Sequence, residues 1–391
     1  MIYIIVLLLI LIPVIRYDFL KKTKGLKIWA FLELLVLILL VGLRYRVGGD
    51  TLTYIDYFDE YPTIQELFNF DFSSAQFKPL WYVYNAIIKF IWNDFTFFQI
   101  VQAIIVNTIV FWFFKKNVKY FFSAILLYYI GFYFYFNMEI LREVLAVCIF
   151  LLIFRFVQEK RYVEYYLFST IAFFFHYSAM IMFIVPILYL VKNISWKTTL
   201  ITAIGLFLLL SAVDISPLLV KLLLGNDLLN LKFESYSSLD DKSNYIGLIT
   251  IIFPIILLMI VNKYQDKENE GSPFKNLMFL YVQLTVFTAF FPAMFSRMSN
   301  FIVPFYVVFI LVSIEKFSFK IDKSIFSLRG LAVRLILFWF IFMRIYSLTK
   351  DTSDVMLGTR YYNIFYPYYS VFNPVTDAQR EQFVELYKEI D

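Results

Sequence analysis

Continuous apolar runs constrain this chain more than any other feature. IYIIVLLLILIPVI (2–15) and FLELLVLILLVG (31–42) are the first two. Later runs approach the ~20 apolar residues that a helix needs to cross a bilayer. In hydrocarbon every backbone polar group must be bonded within the protein, which leaves helices or a closed barrel. A barrel needs short alternating segments, and these runs do not alternate. Hydrophobic residues make up 61% of the 391 residues and charged residues 17%, against about 45–50% apolar in soluble domains. The predicted fold class is an all-α polytopic membrane protein.

About twelve crossings are predicted, at roughly 2–15, 27–43, 95–114, 120–136, 141–157, 163–176, 178–191, 198–213, 245–262, 275–291, 299–314 and 331–347. The first run has no basic residues before it and no small-residue cleavage site, so it reads as a helix rather than a signal peptide. Its basic flank, RYDFLKKTKGLK (16–27), follows it, which puts the N-terminus outside by the positive-inside rule. With that orientation most Lys and Arg fall inside and most Asp and Glu outside. Three outer segments are then predicted: a loop at 44–94, a loop at 214–244 and a C-terminal tail at 348–391. Within the first, KPLWYVYNAIIKFIWND (78–94) is aromatic and amphipathic and is placed along the outer surface, with a re-entrant piece as the alternative. No internal repeat or linker is evident, so residues 1–391 are read as a single integral membrane domain.

Charge at membrane depth is costly, so each such group is a functional candidate. RYRVGGDTLTY (44–54) follows the second run outward and supplies Arg44, Arg46, Asp50 and Tyr54. The arginines either snorkel to lipid phosphates or bind a ligand's phosphates. Asp50 either caps a helix starting at Thr51 or works as a base. NMEILREVLAV (137–147) supplies Arg142 and Glu143; Arg142 either pairs with Glu139 at i−3 or faces a ligand. FFFHYSAM (173–180) carries His176 at the predicted bend of a helical hairpin. It is either a buried imidazole bonded to a carbonyl or a proton carrier. FPAMFSRMSNF (291–301) supplies Arg297 at the opening of the eleventh helix. Glu33 lies within the second run without a sequence-local partner.

His176 is the only histidine and Cys148 the only cysteine. Those counts exclude a multi-histidine or cysteine metal cluster and an internal disulfide. No metal site, cofactor or nucleic-acid partner is expected. Four arginines on one outer side suit phosphates, which guanidinium binds bidentately. Acidic groups and an imidazole supply candidates for proton transfer. A phosphorylated lipid carrying a sugar fits this set.

Three of these segments resemble one family. RYRVGGDTLTY is similar to the Arg-Gly-Gly/Thr-Asp-x-x-x-Tyr signature of the EpsG family, Wzy-like polymerases of bacterial exopolysaccharide, capsule and O-antigen. LREVLAV (141–147) resembles its arginine-led helix start, and FFHYSAM (174–180) its Phe-His-x-Ser-Ala element. Arg297 and NIFYPYYSVF (363–372) match weaker features. Glu143 stands where the family usually has glutamine. The resemblance implies a glycosyltransferase C-like fold in the bacterial plasma membrane. It implies an enzyme that joins undecaprenyl-diphosphate-linked oligosaccharide units on the outer face without a metal. Arg44, Arg46, Tyr54, Arg142 and Arg297 would then bind substrate, and Asp50, His176 and Glu143 would be the catalytic candidates. A chain-length regulator is a further partner consistent with that class. A flippase for the same lipids, a glycan ligase and an O-acyltransferase are the competing readings.

Overall fold

A computed structural model describes residues 2–191, 194–213, 274–318 and 361–382, with isolated positions at 255–256, 258–259 and 342. The described residues are helical, and the only β pairing among them is two isolated bridges. They form two compact units: residues 2–179 with 361–382, and residues 180–318.

In the first unit α1 (Ile2–Pro13) runs on as a π-helical turn to Phe19, and α2 spans Leu26–Gly42. Three amphipathic pieces follow: α3 (Gly49–Glu60), α4 (Ile64–Leu67) and α5 (Pro79–Ile91). Then come α6 (Phe95–Asn117), α7 (Phe121–Met138, with a π-helical stretch at its middle), α8 (Leu141–Gln158) and α9 (Tyr162–Phe173). α2 packs on α6, α6 on α8, α8 on α9, and α1 on α7. Buried amides tie these apolar helices together. Asn107 of α6 donates to Asn137 of α7 at 2.9 Å, and Gln102 donates to the Leu141 carbonyl at 2.8 Å. Such side chains hold helices together where lipid supplies no hydrophobic drive.

In the second unit a 3₁₀ turn (Tyr177–Ile184, entered from the first unit) leads into α10 (Val185–Leu190), and α11 spans Trp196–Ala212. α12 (Lys275–Phe290), α13 (Pro292–Asn300) and α14 (Val303–Ser318) complete it. α12 packs against α10, α11 and α13.

By length and composition three described helices can cross a membrane: Ile2–Phe19, Phe95–Asn117 and Phe121–Met138. α6, with 23 residues, is about 34 Å long, enough for a hydrocarbon core of ~30 Å. The bent pair Met294–Asn300 and Val303–Ile314, kinked by 54°, makes a fourth if counted as one span. Several of the twelve expected crossings take other forms. The sixth and seventh are a 12-residue helix, a 3₁₀ turn and a six-residue helix. At about 18 Å the first of these is too short to span alone. The chain breaks at His176, where the hairpin bend was expected. The predicted crossings at 245–262 and 331–347 lie outside the described residues but for isolated positions.

The 44–94 segment folds back on the helices around an aromatic cluster of Tyr54, Phe58, Tyr61, Trp81, Tyr82 and Phe98, closed below by Leu141 and Leu145 of α8. Trp81 is fully buried, and its indole donates to the Tyr61 hydroxyl at 2.9 Å. α5 turns Trp81, Tyr82 and Ile88 inward and leaves Ile87, Phe90 and Ile91 exposed. It is therefore apolar on two faces.

Candidate active site at the exit from α2

The chain leaves α2 through Leu43 and turns at Arg44–Gly48. Arg44 is 2% exposed. Its Nε donates to the Val47 carbonyl (3.1 Å), its Nη2 to Thr51 Oγ1 (3.0 Å), and its Nη1 to the Val41 carbonyl. These bonds lie within its own loop and fasten the end of α2 to the start of α3. Arg46 takes a left-handed backbone (φ 49°) and grips Glu381 bidentately, Nε and Nη2 each 2.6 Å from a carboxylate oxygen. Arg380, next to Glu381 and also 2% exposed, donates to the carbonyls of Arg46 (2.7 Å) and Pro367 (2.6 Å). The Tyr45 amide donates to the Tyr369 carbonyl, and the Val371 amide to that of Leu43. Residues 361–382 are thus laced onto the exit loop. Tyr3 joins the same end through its hydroxyl, 2.7 Å from the Phe365 carbonyl.

Asp50 is not the cap expected from sequence. α3 begins at Gly49, Gly48 precedes it, and no side chain of that loop caps it. The cap comes from Glu139, in the turn between α7 and α8. The Gly49 amide donates to Glu139 Oε1 at 2.9 Å, and the Asp50 amide to Oε2 at 3.2 Å. A carboxylate on two free helix amides satisfies orphan donors and complements the helix dipole. The two glycines allow this approach. Gly48 has φ 104°, and a Cβ there would lie 2.8 Å from Thr51 Oγ1 and 2.9 Å from Met138 Cβ. A Cβ on Gly49 would lie 3.0 Å from Glu139 Oε2. Burial, and then the negative charge of Asp50, push the Glu139 carboxyl up to about 8, against the opposing pull of the two amides.

Arg142 opens α8 and is half-buried. Its Nε donates to the Tyr54 hydroxyl at 2.8 Å, and its guanidinium lies 4.0 Å from the centre of the Phe77 ring. Tyr54 is itself buried, its ring 5.4 Å from that of Trp81. The aromatic cluster therefore holds this cation in a fixed plane. One residue on, Glu143 is fully buried, and its Oε2 lies 4.0 Å from His176 Nδ1. The His176 Nδ1 lies 2.6 Å from Ser178 Oγ and accepts the Ser178 amide at 3.3 Å. A local serine is thus one partner of the ring.

The structure brings Arg44, Arg46, Asp50, Tyr54, Arg142, Glu143 and His176 into the first unit, around the α2 exit and the start of α8. Arg297 belongs to the second unit. It lies in α13, ahead of the kink, rather than opening the long helix that follows. Glu139, Ser178, Phe77, Arg380 and Glu381 were not identified as site residues. Glu139 was legible only as a local partner for Arg142. The pairing of Arg46 with Glu381 joins positions 335 apart. Among the described residues, no three His, Cys, Asp or Glu side chains converge as metal ligands would.

No curated protein and no solved structure matches this chain. The sequence profile of the EpsG family does match, over residues 27–370, a stretch that holds the α2 exit loop, the start of α8, the His176 bend and the first part of the tail laced onto the loop. The chain belongs to the EpsG family.

Proposed function

We propose that this protein is a polysaccharide polymerase. It transfers a growing glycan from an undecaprenyl-diphosphate carrier to the next lipid-linked repeat unit, on the outer face of the bacterial plasma membrane. Membership of the EpsG family suggests a polysaccharide polymerase-like role. The observation that carries the finer reading is Arg142, fixed by Tyr54 and Phe77 beside the buried pair Glu143 and His176. A guanidinium held in plane is suited to a diphosphate, and the carboxylates and imidazole beside it to proton transfer.

In this reading the bond between the donor's anomeric carbon and the diphosphate oxygen breaks. A bond to the acceptor's hydroxyl oxygen forms. The diphosphate leaves on its lipid, and the hydroxyl proton passes to a protein base. Arg142 stabilises the charge that grows on the diphosphate, and Arg297 is a further phosphate-binding candidate. Arg44 acts from behind by fixing the loop, while Arg46 stands at its rim with the tail. Asp50, His176 and Glu143 are the groups available to take the proton. Arginine can neutralise the leaving group, so the reaction is metal-independent. About twelve membrane crossings in a glycosyltransferase C-like arrangement accompany this proposal.

Deleting the gene in its host and analysing lipid-linked glycans tests the function. A polymerase loss leaves single repeat units on the carrier or cell surface. Loss of all exported units points to a flippase instead. Unchanged polymer of normal length rules out both.

A further inference from the structure

The turn at the His176 bend contains a contact that decides what this histidine can do. The His176 amide donates to the Ala172 carbonyl, and the Ala179 amide to the His176 carbonyl, both at 3.1 Å. This turn folds the chain so that the Ser178 amide points at the ring two residues before it, 3.3 Å from Nδ1. The Ser178 hydroxyl lies 2.6 Å from the same nitrogen. Both residues are buried, His176 at 3% exposed and Ser178 at 0%. A backbone N–H has only one polarity: it donates. Nδ1 must therefore present its lone pair, and a neutral imidazole then carries its proton on Nε2. Glu143 Oε2, at 4.0 Å from Nδ1, is beyond hydrogen-bond range and does not compete for that position.

We infer that Ser178 is a positioning residue that fixes His176 as the Nε2–H tautomer, so that His176 serves the reaction as a hydrogen-bond donor and not as its base. Two geometries of a histidine beside a glutamate are chemically opposite. If Nδ1–H pointed at Glu143, Nε2 would be a lone pair ready to take a proton, as in a hydrolase triad. With Ser178 holding Nδ1, Nε2–H is a donor, as a neutral imidazole is when it polarises a substrate oxygen. In the polymerase this donor meets the negative charge growing on the departing diphosphate oxygen. The acceptor's proton then goes to a carboxylate, with Asp50 the candidate outside the His176–Glu143 pair. The role in catalysis rests on the polymerase reading; the tautomer does not.

The sequence makes the test direct, because His176 is the only histidine. Protein labelled with ¹⁵N-histidine, purified through a histidine-free tag and placed in lipid nanodiscs, gives one imidazole. Spectra at alkaline pH, where the ring is neutral, should show Nδ1 as the unprotonated nitrogen and Nε2 as the protonated one. Ser178→Ala keeps the amide on Nδ1 and so should keep the tautomer, but it removes the hydroxyl that steadies the ring and should lower turnover of lipid-linked repeat units about tenfold with KM unchanged. Ser178→Thr, which keeps the hydroxyl, should restore turnover. A wild-type ring protonated on Nδ1, or an even mixture, overturns the inference. So does a Ser178→Ala protein with wild-type turnover, or one whose ring changes tautomer although the amide remains. If the spectra are as expected but the wild-type protein polymerises nothing, the polymerase reading falls and the tautomer assignment stands.

Discussion

Substituting Gly48 with alanine should be among the most damaging small changes in the protein. The backbone there has φ 104° and ψ 139°, a region open essentially to glycine alone and costing about 1–3 kcal/mol for other residues. The new methyl would also stand 2.8 Å from Thr51 Oγ1, 2.9 Å from Met138 Cβ and 3.2 Å from the Met138 carbonyl oxygen. None of these can move cheaply. Thr51 Oγ1 accepts from Arg44 at 3.0 Å and donates to the Met138 carbonyl at 2.9 Å. Displacing it weakens two buried hydrogen bonds, each contributing about 1 kcal/mol. The total is roughly 3–5 kcal/mol. Gly205, within α11, provides the control: a Cβ there meets nothing within 4 Å. Gly205→Ala should be neutral or gain up to about 1 kcal/mol of helix propensity. Thermal unfolding of the two variants in detergent, followed by tryptophan fluorescence, separates them. Gly48→Ala should lower the apparent Tm by on the order of 10 °C, with Gly205→Ala at or above wild type. A Gly48→Ala protein that melts with wild type would refute the tight packing of α3 against Met138.

Other consequences are as direct. Glu139→Ala leaves two helix amides without an acceptor and should cost about 2–3 kcal/mol by the same unfolding measurement. The Glu139 carboxyl is raised in the folded state by burial and Asp50, so the fold binds its proton more tightly than the unfolded chain does. That contribution to stability is full below the ordinary carboxylate range and is lost as pH climbs toward about 8; Glu139→Gln should flatten the fall in Tm over that window. In a double-mutant cycle, Arg46→Ala and Glu381→Ala should show a coupling of about 1 kcal/mol, since each side chain is 24% exposed. Arg142→Lys keeps the charge but loses the planar seat on Phe77 and the bond to Tyr54. Polymer should drop at least tenfold at normal protein level, as scored on gels of extracted glycan.

The features legible in the sequence are those whose cause is local. Apolar runs mark α1, α2, α6 and α7 because hydrocarbon demands them. The basic flank after the first run and the break at His176 were visible for the same reason. The crossing expected at 178–191 instead opens with a 3₁₀ stretch between residues 177 and 184. Apolar content alone carries no signal of that break. At the candidate site the residue types were readable, but their directions were not. Arg44 is chemically able to bind phosphate, yet its bonds turn inward because the loop around it closes. Asp50 has a capping side chain in nearly the right place, yet Glu139, 89 positions away, takes the amides. Such choices depend on which distant segments arrive.

The lacing of residues 361–382 onto the α2 exit sets an order of assembly. Arg46 reaches the ribosome's exit 335 residues before Glu381, which is roughly 20–70 s of synthesis at about 5–20 residues per second. Through that interval α2 and the amide end of α3 are made but their outer seal is not. Glu139, arriving earlier, can cover the α3 amides while the loop waits. A chain stalled or truncated before residue 361 would hold every candidate catalytic group and yet leave the α2 exit loop unfastened. Only chains translated almost to the residue that locks it would thus carry the loop in its fastened form.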